Sequence, residues 1–305
     1  MPGTDAQPLR ATMRAFLIAA MVLCGLVLFH LQGNTTSARV HGTSAIWWMI
    51  LTWSEKGGAM SHGWAVPLVS AYFIWRRREP LFSAERRSYA PGLVLVVLLL
   101  MLHLLGLRAQ QSRFALFSMI GLLWAVPLYL AGPKVARVLF FPAAYLLFMV
   151  PWAFFDSITF PLRQIGAVVA AGIVNGLGVE VQRVGTAIYS ASGAGFNIDV
   201  ADACSGLRSL VAMLAITVAY ANVSQPNLWR KTALSLAAVP LAVAGNIARI
   251  VSIALVGNSF GGDVAMNMYH DYSTYIMFTT AILLMFSIEP LLARIQRRLK
   301  PEATA

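Results

Sequence analysis

From Leu93 to Leu105 the chain carries apolar side chains on every side of any helix it could form, broken only by His103. Such a helix has no face to offer water, so a run of this kind points to lipid. Comparable runs recur along the whole chain, and only 11% of its 305 residues are charged while 58% are hydrophobic. That is too little charge to cover a soluble surface, which argues against a soluble enzyme.

The formal net charge is +11, and where the basic residues sit decides what it means. Arg76, Arg77, Arg78, Arg86 and Arg87 fall between two apolar runs, Lys134 and Arg137 between another two, and Arg230 and Lys231 between a third pair. Arg294, Arg297, Arg298 and Lys300 follow the last run. This is the positive-inside pattern of a membrane protein, and no basic stripe with interleaved aromatics is left over for nucleic acid. Cys24 and Cys204 are the two cysteines, too few and too far apart in character for a disulfide framework. The first run, Ala15 to Leu31, lacks a convincing small-x-small cleavage site and reads as a retained helix.

A span needs roughly 20 apolar residues to cross about 30 Å of hydrocarbon. On that measure the expected fold is an all-α integral membrane protein with about eight transmembrane helices, near 14–32, 60–76, 90–108, 113–131, 135–155, 205–223, 232–257 and 272–292. With the arginine clusters inside, both termini are cytoplasmic. Residues 1–13 then form a cytoplasmic tail, 14–292 one membrane domain and 293–305 a basic tail. A ninth apolar stretch, Pro161 to Val179, contains Arg163, Gln164 and Asn175. Letting it cross would put Arg230 and Lys231 on the wrong side, so it is expected as an interfacial or re-entrant helix on the outer face. Between Val184 and Ala203, Phe196, Ile198 and Val200 alternate with Asn197, Asp199 and Ala201 behind a Ser192-Gly193-Ala194-Gly195 turn, the pattern of a small β-hairpin.

The hairpin delivers the chain to Cys204 at the start of a helix, where free backbone N–H groups and the helix dipole favour an anion and lower a thiol pKa. Arg208, four residues on, shares that helix face and suits a thiolate or a substrate carboxylate. A packed cysteine beside a snorkelling arginine is the plainer alternative. Arg249 lies inside the apolar run Ala233 to Val256, where a charge is costly and normally marks function. Asn246 is one turn away on the same face. Pairing of Arg249 with Asp199, Asp202 or Asp271 to hold helices together is the structural alternative. His270 opens the last span and suits general acid or base work. Since His30, His41, His62 and His103 also fall in outer halves or loops, position alone does not single it out, and His62 in Ser61-His62-Gly63 is its chief competitor. The sequence has no His-Glu-x-x-His, no Gly-x-Ser-x-Gly and no phosphate-binding glycine loop, and its scattered histidines suggest no metal or cofactor.

These same residues carry a family resemblance. Ala203-Cys204-Ser205-Gly206-Leu207-Arg208-Ser209-Leu210 resembles the signature of the exosortase and archaeosortase family, Asn246-x-x-Arg249-Ile250 its second motif and His270-Asp271-Tyr272-Ser273 its third. An early block, Ser61-His62-Gly63-Trp64 through Pro67 to Trp75-Arg76-Arg77-Arg78, is also similar, so the resemblance runs from about 45 to 290. It implies that Cys204 is the nucleophile, Arg249 its basic partner and His270 the third catalytic residue, with Arg208, Asn246 and His62 as substrate-binding candidates. The implied clients are secreted proteins ending in a Pro-Glu-Pro motif, a transmembrane helix and a basic tail. The implied location is a bacterial inner membrane with the site on the periplasmic side, in contact with lipid. Thr274 stands where many relatives have glycine. Two other readings stay open: a non-enzymatic transporter or assembly factor for exopolysaccharide, and an intramembrane protease that hydrolyses and has no acceptor. The acceptor amine is not identified by the sequence.

Overall fold

A computed structural model describes residues 6–34, 42–55, 60–151, 155–191, 197–199 and 206–299. It divides into two compact units, Met1–Pro151 and Trp152–Ala305.

The first unit contains α1 (Ala6–Gln32), α2 (Ala45–Ser54), a 3-10 turn (Ser61–Trp64), α3 (Ala65–Arg76), α4 (Arg78–Ser83), α5 (Pro91–Arg108), α6 (Ser112–Ala131), α7 (Pro133–Tyr145) and a second 3-10 turn (Leu146–Met149). Helix α6 is its centre, with Ala115, Leu116, Met119, Ile120, Ala125 and Val126 buried. Helix α5 lies against it and exposes Leu93, Val94, Val97, Leu98, Met101 and Leu104, a surface suited to acyl chains and not to water. The expected spans at 60–76 and 135–155 are interrupted. Helix α3 has 12 residues and α7 has 13, each joined to a 3-10 turn, and at about 1.5 Å per residue neither crosses as regular α-helix alone. A break in a membrane helix leaves carbonyls that must find donors. Here Trp53 Nε1 donates to the Met149 carbonyl at 3.2 Å, His62 Nε2 to Phe148 at 3.1 Å, and Arg113 Nε to Pro151 at 2.8 Å. Trp53 sits on α2, a helix that the span count leaves out because its ten residues are too few to cross.

The second unit is α8 (Phe155–Gly176), the strands β1 (Val181–Val184), β2 (Ala187–Ser190) and β3 (Asn197–Asp199), α9 (Gly206–Ser224), α10 (Leu228–Phe260), a π-helical turn (Val264–Tyr269) and α11 (His270–Leu299). The expected hairpin is larger than its alternation suggests. The strands form an antiparallel sheet in the order β1-β2-β3, with Val184 opposite Ala187 and Ile188 opposite Ile198. The first turn is made by Gly185 and Thr186, with Gly185 at φ +63°, a conformation open to glycine without steric cost. Strand β1 escapes a periodicity reading because only Val181 of its four residues is buried. The turn at 192–195 lies outside the described residues.

The sheet caps one end of the helices. Ile188 and Ile198 are fully buried in a cluster with Ala167, Ala170, Ala171 and Val174 of α8 and Ile250, Ile253 and Ala254 of α10. Asn175, near the end of α8, is bound twice to Val181 of β1, donating to its carbonyl and accepting from its N–H. Helices α8 and α10 therefore both pack against the sheet. At the other end the loop between α9 and α10 is tied to α11: Tyr220 and Gln225 donate to Glu289 at 2.6 and 2.9 Å, and Asn227 donates to Gln296 at 3.1 Å.

Among the described residues, Pro91–Arg108, Ser112–Ala131, Leu228–Phe260 and Tyr272–Gln296 are long and apolar enough to cross a membrane unaided. Shorter apolar helices cover Phe16–Gln32, Ala45–Ser54 and Leu210–Ser224. The stretch expected as an interfacial helix from Pro161 starts earlier, at Phe155, and has 22 residues. Its exposed positions include the apolar Ile165, Val168, Val169 and Ile173 and the polar Gln164 and Asn175.

Candidate functional site

Arg249 is set into the apolar middle of α10 and only 6% exposed. Its Nε donates to Ser273 Oγ at 2.9 Å, and Ser273 on α11 is fully buried. A hydrogen bond from an ionised donor is among the stronger polar contacts a protein makes. Ser273 comes one helical turn after His270, so the bond holds Arg249 at the turn of α11 that carries His270. Closeness of the two helices permits this. A Cβ on Gly245 would stand 2.5 Å from the Met277 carbonyl oxygen, so the backbones of α10 and α11 meet where only glycine fits.

Asn246, one turn before Arg249 on the same face, is 8% exposed. Its Oδ1 is buried and has no hydrogen-bond partner among the described residues. On α8, a Cβ placed on Gly166 would lie 3.9 Å from Asn246 Nδ2 and 4.0 Å from Ile247 Cγ1, with nothing nearer. An alanine at 166 would therefore make ordinary contact with the amide.

The helix α9 is described from Gly206. Cys204 itself lies outside the described residues. Arg208 falls in the first turn of α9 and His270 is the first residue of α11; the position of each is given by the backbone alone. Leu210, the last residue of the first sequence motif, is buried in a cluster with Leu241 and Ala242 of α10 and Ala281 of α11. The helices that carry the three motifs therefore pack together. His62 belongs to the first unit, where its ring is engaged with the Phe148 carbonyl.

Two features of the site escape a reading of the sequence. Ser273 stands within the third motif but nothing about a serine in a helix marks it as the partner of an arginine on another helix. The π turn at Val264–Tyr269, directly before His270, follows Gly261 at φ +88°. Turns of this kind are frequent at functional sites; the Gly261-Gly262 pair is the signal that α10 ends there. No group of three or more metal-binding side chains occurs among the described residues.

Compared with known proteins, residues 47–287 match the family model described as transmembrane exosortase. No curated protein and no solved structure matches the chain.

Proposed function

This chain belongs to the transmembrane exosortase family, and on that premise we propose that it is a membrane-embedded cysteine transpeptidase acting on the C-terminal sorting signal of secreted proteins. It is a multi-pass membrane protein, by family and by its long apolar helices. The observation that carries the reading is that the family match spans all three motifs, Cys204, Arg249 and His270. The anchoring of Arg249 on the His270 turn supports it.

In this reading a client's anchor helix lies beside the spans and presents its Pro-Glu-Pro segment on the outer face of a bacterial inner membrane, with both enzyme termini in the cytoplasm. Cys204 passes its proton to His270 and attacks the scissile carbonyl carbon as thiolate, forming a C–S bond. Arg249 stabilises the oxyanion that develops. The C–N bond then breaks, the leaving nitrogen takes the proton from His270, and a thioester on Cys204 remains. An acceptor amine, or water, gives a proton to His270 and attacks the thioester, which frees Cys204. Arg208 holds the client's glutamate carboxylate.

The test is the mature C-terminus of one client, measured by mass spectrometry in cells carrying the native chain or Cys204→Ala. The native chain is expected to remove the anchor helix and leave either a free carboxylate or an attached acceptor, two products of different mass. Cys204→Ala is expected to insert normally and leave the client uncut. A client matured as usual by that variant overturns the proposal.

A further inference from the structure

Helices α1 and α5 each pack along α6 but touch one another little, and between them lies a crevice of about 230 Å³. Val22, Gly25 and Leu26 of α1 face Val96 and Leu100 of α5 across it, with Leu122 of α6 below. No lining side chain carries an oxygen or a nitrogen, so nothing in it would hold water by hydrogen bonds. The crevice ends at Phe29, which is buried and meets His103 of α5 edge-on with ring centroids 4.7 Å apart. On its outer side Met21, Cys24 and Leu100 are exposed, so it opens laterally.

Both α5 and α6 are long and apolar enough to cross a membrane, and the crevice follows their middle turns, so its mouth faces hydrocarbon. An apolar cavity of about 150 Å³ already takes up a small hydrocarbon in preference to water. One turn of a further helix, about 10 Å across and about 5.4 Å tall, would need about 400 Å³, more than the crevice offers. A single flexible chain fits where a helix does not. Leu100 lies about 13 Å along α5 from Pro91, close to the roughly 15 Å depth of one leaflet. At that same end of the unit the Arg87 N–H is bonded to the Ala131 carbonyl, and Arg87, Lys134 and Arg137 are exposed. A phosphate at their level attracts these cations and carries its chain to the depth of Leu100.

We propose that the crevice between α1 and α5 is a phospholipid site: one acyl chain, from a lipid of the leaflet on the side of Arg87 and Lys134, enters it with its terminal methyl directed at Phe29. The chain fills the gap between the two helices and fixes α1 against α6. The site is separate from the three motifs, which lie in the second unit.

Photolabelling of the full chain in phosphatidylcholine nanodiscs tests this, with a trace of phosphatidylcholine bearing a diazirine at the end of one acyl chain. Labels are expected on Phe29 and Leu122 in the crevice, and also on Leu93, Val94 and Leu98 of the exposed α5 surface. A diazirine moved to the second carbon of the chain is expected to label Phe29 severalfold less. A Cβ at Gly25 meets nothing within 4 Å, and leucine is the better helix former, so Gly25→Leu fills the crevice without a clash. That variant is expected to melt no lower than the native chain, to lose crevice labelling severalfold and to keep labelling of the α5 surface. Crevice labelling of Gly25→Leu equal to that of the native chain overturns the proposal. So does equal labelling of Phe29 by the two probes, a comparison that needs no substitution. Disulfide formation between the Cys24 thiols of two chains under copper phenanthroline, in the Cys204→Ala background, would put a second copy over the crevice and overturns it as well.

Discussion

A buried hydrogen bond joins Ser273 to Arg249, which gives its hydroxyl more influence than that of an ordinary helical serine. Ser273→Ala leaves the guanidinium charge in place but removes this acceptor, and a bond of this class contributes about 1.5–3 kcal/mol. Client processing is expected to fall by about tenfold or more, with Ser273→Thr restoring most of it. Arg249→Lys is expected to lose more, since lysine has no Nε donor in a planar fork. Equal activity of Ser273→Ala and the native chain would show that the bond does not orient the arginine. Gly245→Ala places a methyl against the Met277 carbonyl and forces α11 away from α10. Strain of this kind typically costs about 1–3 kcal/mol, to be seen as a lowered melting temperature together with lost processing. Arg249 and Asn246 were conspicuous in the sequence because a charge and an amide stand out in an apolar run. Gly245 was not, since a glycine discloses nothing of what approaches it until a second helix is in place.

At the scale of elements, the membrane placement of helix α8 is the point to test. Its arginine, glutamine and asparagine lower its apolarity, and the expectation of an outer-face helix followed from keeping the basic loops inside. In the packed unit it ends beside α10 at the sheet, and its 22 residues extend about 33 Å. The broken α7 offers a way to keep the basic loops where they belong: a short helix that does not complete a crossing lets α8 take its place in the count. The expected result is that a cysteine at Leu177 reacts with an impermeant maleimide from one side of the membrane and a cysteine at Ser157 only from the other. Labelling of both from the same side would restore the interfacial placement. The third strand of the sheet was equally hidden, because β1 is a lone buried valine followed by exposed residues. Helices α5 and α6, in contrast, begin and end within a residue or two of their expected spans, since unbroken apolar runs flanked by arginine or glycine leave little freedom in where they stop.

For the molecule as a whole, membrane residence and family were readable from the chain, one from apolar runs and the other from three short motifs. The convergence of those motifs was not, because it depends on helices separated by dozens of residues meeting at small side chains. All three motifs lie in the second unit, each reaching a different helix.

Helix α10 has a further implication. Its 33 residues measure about 50 Å, well beyond a hydrocarbon layer of about 30 Å. A rod longer than its medium is thick must lean or project, and the lean changes with thickness. Arg249 rides on that rod while His270 begins another. Reconstitution in phosphatidylcholines with acyl chains of 14, 18 and 22 carbons is therefore expected to give a turnover that peaks at one chain length and falls on both sides, with the fold intact throughout. A flat response would mean that the two helices move as one. A peaked response would make lipid composition a control on which compartment of the cell envelope supports the reaction.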